Sequence, residues 1–206
     1  MKTLDKIAQN EITPQQGVEL LKKGNQRFMA NLKINRNLLN QMNETSESQH
    51  PFAVVISCMD SRTSAELIFD QGLGDIFSIR IAGNIINEDI LGSTEFGCRV
   101  VGAKVVLVLG HSGCGAIAGA VNDVDLGHLK FITKKIQRCI PALREKYPHT
   151  TNQDLCSHVT RENIGLGIND LTSKSPILAE MVKKGEIKIV GGAYDITSGS
   201  VDFFDV

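Results

Sequence analysis

Lys104 to Ala116 reads KVVLVLGHSGCGA, and its first half, Val105 to Leu109, is an unbroken apolar and largely β-branched run. A run of that length and composition, stopped by glycine, predicts a strand buried on both faces, the kind that parallel sheets contain. It ends at Gly110 and delivers His111 and Cys114 into a glycine-rich turn, ahead of the helix-compatible segment AIAGAV. Open α/β sheets place their ligand sites just beyond the carboxyl ends of strands. An imidazole and a thiolate at His-x-x-Cys spacing can face one tetrahedral metal, but two ligands do not complete a site, and a third has to come from elsewhere.

Phe52 to Arg62, FAVVISCMDSR, repeats the architecture: a buried run ends at Cys58, with Asp60, Ser61 and Arg62 directly after it. If the two strands are neighbours, Cys58, His111 and Cys114 converge. Two cysteines and one histidine with no fourth ligand suit a catalytic zinc, which keeps a position open for water. Singly, each cysteine reads as a small buried hydrophobe and His111 as a helix cap; their joint placement at two strand ends decides for ligands. Asp60 and Arg62 would otherwise be an exposed ion pair of small consequence. Beside a metal ligand, the carboxylate can accept a hydrogen bond from a metal-held hydroxide and the guanidinium can keep that carboxylate ionised and oriented.

Cys-x-Asp-x-Arg followed by His-x-x-Cys, each at the end of a strand, resembles the β-class carbonic anhydrases. The resemblance runs from Ile12 to Phe203 and takes in AELIFDQGLGDIF (Ala65–Phe77), RIAGN (Arg80–Asn84) and IKIVGGAYDI (Ile187–Ile196). It implies a mostly parallel sheet of order 2-1-3-4 with a C-terminal edge strand, flanked by helices, and a metal where the winding reverses. It implies one zinc per chain on Cys58, His111 and Cys114, and reversible hydration of carbon dioxide to bicarbonate and a proton, with the hydroxide oriented by an Asp60–Arg62 dyad. In some members the aspartate instead swings onto zinc and closes the site. Gln49 matches a glutamine that donates to the substrate oxygen, and Phe77 and Phe96 match positions lining an apolar slot completed at a dimer interface. Phe96 stands where plant-type members carry tyrosine. Val55 replaces the tryptophan of a regulatory bicarbonate pocket, although Arg80 aligns with that pocket's arginine, which argues against that form of inhibition. A homodimer or homotetramer is implied. Two other readings use the same residues: hydrolysis of carbonyl sulfide or carbon disulfide, and a non-catalytic zinc module, for which the dyad would be superfluous.

The remaining features bound the function. The chain has 206 residues, 42% hydrophobic and 22% charged, with a net charge of −1, ordinary for one globular domain with a sizeable core. That charge offers no footprint for nucleic acid, no apolar run is long enough for membrane insertion, and the first residues lack the apolar core of a signal peptide. Five scattered cysteines, Cys58, Cys98, Cys114, Cys139 and Cys156, argue for a reducing, cytoplasmic compartment. The expected organisation is a single domain: a helical N-terminal arm over 1–32, a polar loop over 33–49 and an α/β core over 50–206. In the family that arm packs on a second subunit; its spacing of Val18, Leu21, Phe28 and Leu32 serves packing on its own core equally well. Ile76–Ile81 and Ile187–Ile196 predict further strands, 200–204 a returning hairpin, and 88–101, 126–147, 154–171 and 176–184 helices.

Overall fold

The strands that end at the two motifs lie side by side. In the computed structural model, which describes residues 3–205, Ala53–Ser57 (β1) and Val105–His111 (β3) pair in parallel, with Ala53 opposite Val105 and Ser57 opposite Leu109. Ile76–Arg80 (β2) adds in parallel on the far side of β1, and Lys188–Tyr194 (β4) on the far side of β3. Val201–Phe204 (β5) returns antiparallel on β4, giving one five-stranded sheet of order β2-β1-β3-β4-β5. The winding direction reverses between β1 and β3, where an α/β sheet opens a crevice at its carboxyl edge.

Every residue of β1 and β3 is buried, because both faces of the sheet are covered. Val54, Ile56, Val106 and Val108 point to one side, against Ile164, Ile168 and Leu171 of the long helix Asn152–Lys174 (α9). Ala53, Val55, Val105, Leu107 and Leu109 point to the other, against Val18 and Leu21 of Pro14–Met29 (α2) and Ile68 and Phe69 at the end of the short helix after the first motif. The period-two split of a continuous apolar run between two helical layers is why these strands show no polar alternation. A third cluster, with Cys58, Cys114, Ile117 and Ile136, lies around the metal-motif turns.

The N-terminal segment is two helices. The first, Lys6–Glu11, ends with Ile12 at its C-cap, and Thr13 caps α2 through a reciprocal capping box with Gln16, with Pro14 as the first helical residue. The Val18–Leu21 face rests on the chain's own sheet, while Leu32 lies beyond the helix and is exposed. The expected 33–49 loop needs correction, since Leu38–Glu44 is a helix. Asn37 caps it, its side chain accepting from the Asn40 N–H, and its buried face carries Gln41 while Leu38, Leu39 and Met42 point outward. An inverted pattern in an Asn-rich stretch conceals a helix from any reading of apolar periodicity. The helix expected over 88–101 is an α-helix, Glu88–Glu95, continued by a π-helical turn, Phe96–Val101. No helix among the described residues is long and apolar enough to cross a membrane.

Candidate metal centre

Cys58 stands one residue past β1, His111 closes β3, and Cys114 caps the helix Gly115–Val121 (α6). Their ligand atoms all lie within 4.8 Å of one another, and all three residues are buried. Among the described residues no fourth His, Cys, Asp or Glu joins the group. The two sulfurs are 3.9 Å apart; thiolates at about 2.3 Å from a tetrahedral zinc stand about 3.8 Å apart. Nδ1 of His111 lies 2.9 Å from the Ser112 carbonyl oxygen, to which it donates, leaving Nε2 as the free lone pair. That Nε2 is buried without a hydrogen-bond partner. An orphaned acceptor is costly in a core and is explained by an ion. The cluster fits a metal.

The two sulfurs lie within hydrogen-bonding distance of each other. The hydrogen bond from Cys114 pulls the Cys58 thiol down against the opposing effect of burial, and the backbone N–H of Gly83 assists. The same bond and burial push Cys114 up, opposed in part by the Ala116 and Ile117 amides at the start of α6. Deprotonation of the pair is thus favoured at Cys58 over Cys114, and a bound metal would favour both thiolates.

Asp60 and Arg62 meet as a fork: Nε donates to Oδ1 at 2.9 Å and Nη2 to Oδ2 at 2.7 Å, while the Arg62 N–H also donates to Oδ1 at 3.0 Å. These bonds to the Arg62 side chain hold the Asp60 carboxyl well below the usual range. Arg62 reaches Gly113 as well, Nη2 lying 3.4 Å from its carbonyl oxygen, so the pair bridges the two motif turns.

The substrate positions expected from sequence lie apart from this cluster. Phe77 and Phe96 have ring centroids 6.5 Å apart and line a shallow groove of about 390 Å³ with Ser78, Ile79, Gly92 and Ser93. No member of the triad lines it, and Phe96 is exposed. Gln49 is exposed on the segment leading to β1. A cavity of about 760 Å³ lies by Ser112–Gly115, Asn152, Cys156 and Tyr194; it touches Cys114 but neither Asp60 nor Arg62. Three residues outside the expected set serve the site. Gly83, in a left-handed conformation, donates its N–H to Cys58 Sγ at 3.4 Å; Thr63 and Arg80 bind main-chain oxygens of the first motif. The RIAGN resemblance hinted at Gly83, and Arg80 was marked there as well as by its match to the bicarbonate-pocket arginine.

A carbonic anhydrase family model matches residues 53–201. A carbonic anhydrase of Mycolicibacterium smegmatis is 32% identical over 188 residues, covering 88% of this chain and 89% of its own. The chain belongs to the β-class carbonic anhydrases. Arabidopsis thaliana β carbonic anhydrase 3 is 28% identical, over all of this chain and 83% of its own. The β-carbonic anhydrase CcaA superposes with a TM-score of 0.73 at 28% identity, covering 93% of this chain and 94% of the other. A tetrameric β-carbonic anhydrase of Sordaria macrospora shares the fold, with a TM-score of 0.73 at 23% identity over 80% of this chain and 86% of that one. The carbonic anhydrase architecture and the mostly parallel sheet expected from the two motifs are thereby established, and the enzyme class with them.

Proposed function

We propose that this chain is a zinc enzyme that interconverts carbon dioxide and bicarbonate, with Cys58, His111 and Cys114 holding one zinc and Asp60 and Arg62 acting as its dyad. The observation that carries the reading is the buried three-ligand cluster with the forked Asp60–Arg62 pair bridging its two turns. A zinc held there supplies Lewis acidity, which brings the pKa of a water toward the range in which it can act as a nucleophile.

The rest is the work of the protein's own groups. Asp60, ionised under its arginine, accepts the nucleophile's hydrogen bond and turns an oxygen lone pair toward the substrate carbon. Arg62 denies Asp60 a proton and fixes its rotamer through the fork and the adjacent N–H. Phe77 and Phe96 offer an apolar surface to carbon dioxide, and Gln49 donates to a substrate oxygen.

Because Phe96 and Gln49 are exposed in one chain, their roles require a second subunit, so a homodimer or homotetramer is proposed. The edge strand β2, paired on one side only, is available to it. A cytoplasmic location accords with five free cysteines. Stopped-flow carbon dioxide hydration on protein of verified zinc content tests the activity: turnover proportional to zinc is expected, and zinc-loaded protein with no hydration overturns the reading.

A further inference from the structure

Arg80 ends the edge strand, and its guanidinium turns toward the neighbouring motif. Nε donates to the Cys58 carbonyl oxygen at 3.2 Å and Nη2 donates to the Asp60 carbonyl oxygen. Arg80 sits in register with Ser57, the residue before Cys58, and the next rung runs from the Ile81 N–H to the Ser57 carbonyl at 3.0 Å. Its backbone is thus fixed directly beside the ligand turn. Among the described residues Arg80 forms no ion pair, so its charged donors serve main-chain oxygens.

The same two carbonyls are met by buried Thr63. Its Oγ1 lies 2.9 Å from each, and its N–H donates to the Asp60 oxygen at 3.0 Å. One hydroxyl proton serves one acceptor at a time. Thr63 can thus give each carbonyl one donor, the hydroxyl to Cys58 and the N–H to Asp60, and Arg80 adds a second, charged donor to each from the neighbouring strand. The turn so held carries the sulfur that faces the metal cluster and, two residues on, the Asp60 carboxylate.

We propose that Arg80 is a positioning residue of the metal centre: by binding the carbonyl oxygens of Cys58 and Asp60 together, it sets the turn on which the ligand sulfur and the dyad carboxylate stand. The inference rests on the metal-site reading above. Two diverging N–H groups are needed to reach two carbonyls separated along one turn, which suits a planar fork; a lysine ammonium placed there reaches one of them well. Arginine at this position therefore acts on the protein's own backbone.

The test uses the full chain as parent, Arg80→Ala and Arg80→Lys, each loaded with zinc and separately with cobalt. Hydrogen exchange at the Arg62 and Thr63 amides should quicken at least about tenfold in Arg80→Ala, with β1 and β3 amides unchanged. The visible absorption bands of cobalt should shift in the same variant. For carbon dioxide hydration, kcat should fall at least about tenfold with KM within about twofold of the parent. Arg80→Lys should lie between the two proteins in all three. Parent-like exchange and cobalt spectra in Arg80→Ala would overturn the proposal. If that variant does not fold, Arg80→Lys decides on the same two readouts: altered values support it and parent-like values overturn it. A zinc-loaded parent without hydration activity would fail the proposed function alone, since exchange and cobalt spectra still judge Arg80.

Discussion

Asp60 is a partly exposed carboxylate whose two oxygens are both taken by one guanidinium. Its proposed task needs an ionised acceptor, which an amide cannot supply. Asp60→Asn should keep one zinc per chain and lose about a hundredfold or more in kcat, the scale of a positioned proton-handling group; parent-rate hydration at full zinc would remove Asp60 from the mechanism. Cys114→Ser should lose metal and activity together, whereas Cys98→Ser, Cys139→Ser and Cys156→Ser should keep both. Loss of zinc in any of those three would show that the ligands are misassigned. The opposed shifts of the two thiols give a pH prediction. The Cys58 thiol is held low by its hydrogen bond with Cys114, while that bond and burial push the Cys114 thiol up. Zinc binding should then release about one proton from the sulfur pair, not two, and affinity should climb with pH. Calorimetry in buffers of different ionisation enthalpy measures the count, and a release of two protons from the sulfurs contradicts the opposed shifts.

The elements reach the site through close backbone approaches. A Cβ on Gly24 of α2 would lie 1.8 Å from the Phe69 carbonyl oxygen, a clash that no rotamer relieves. Next to it, buried Asn25 donates to the Ile68 and Gly199 carbonyls and accepts from the Val201 N–H, joining α2, the segment after the first motif, and β5. Gly24→Ala should destabilise the fold by about 1–3 kcal/mol, read as a lower denaturation midpoint with zinc stoichiometry retained at low denaturant. A Cβ on Gly83 would meet Ile136 Cδ1 at 2.8 Å, on a backbone whose φ is +67°. Gly83→Ala should also cost about 1–3 kcal/mol, and it should weaken zinc retention as well because the N–H on Cys58 shifts. Gly24→Ala losing zinc as readily as Gly83→Ala would show that the second effect is global softening. The two motif strands were legible from their apolar runs, and the helix after His-x-x-Cys from the segment AIAGAV. The helix Leu38–Glu44 was not, because its inward face carries Gln41.

For the molecule as a whole, Asp70 gathers the N-terminal segment onto the core. It is buried, accepts from Arg27 and Arg36, and receives the Ile34 N–H at 3.3 Å. Burial alone would raise its pKa, but the two arginines outweigh it and hold the carboxyl below its ordinary value. A carboxyl depressed on folding contributes stability that is fully present above the unfolded pKa of about 3.9 and is lost as pH falls through the lower folded value. Acid unfolding should accordingly steepen below about pH 4, and Asp70→Asn should flatten that limb while lowering stability at neutral pH. Equal pH dependence in parent and variant would show that Asp70 is not the linked group. At the same scale, light scattering should report a dimer or a multiple of one; a fully active monomer would leave Gln49 and Phe96 without a role.

The chain by itself determined the buried strands, the three ligand types and the turn residues that present them, because burial on two faces and ligand spacing are written locally in residue order. It also brought Asp60 and Arg62 within reach of an ion pair, since they are near neighbours whose fork spans a single turn. Residue order alone left the adjacency of β1 and β3 to the family resemblance, and the tertiary structure shows it, turning two half-motifs into one cluster. Only it revealed that Arg80 and Thr63 bind the carbonyls beneath that cluster. The physical reason is that a main-chain oxygen accepts from any donor the fold brings near it, so a contact of this kind leaves no mark in the residue identities on either side.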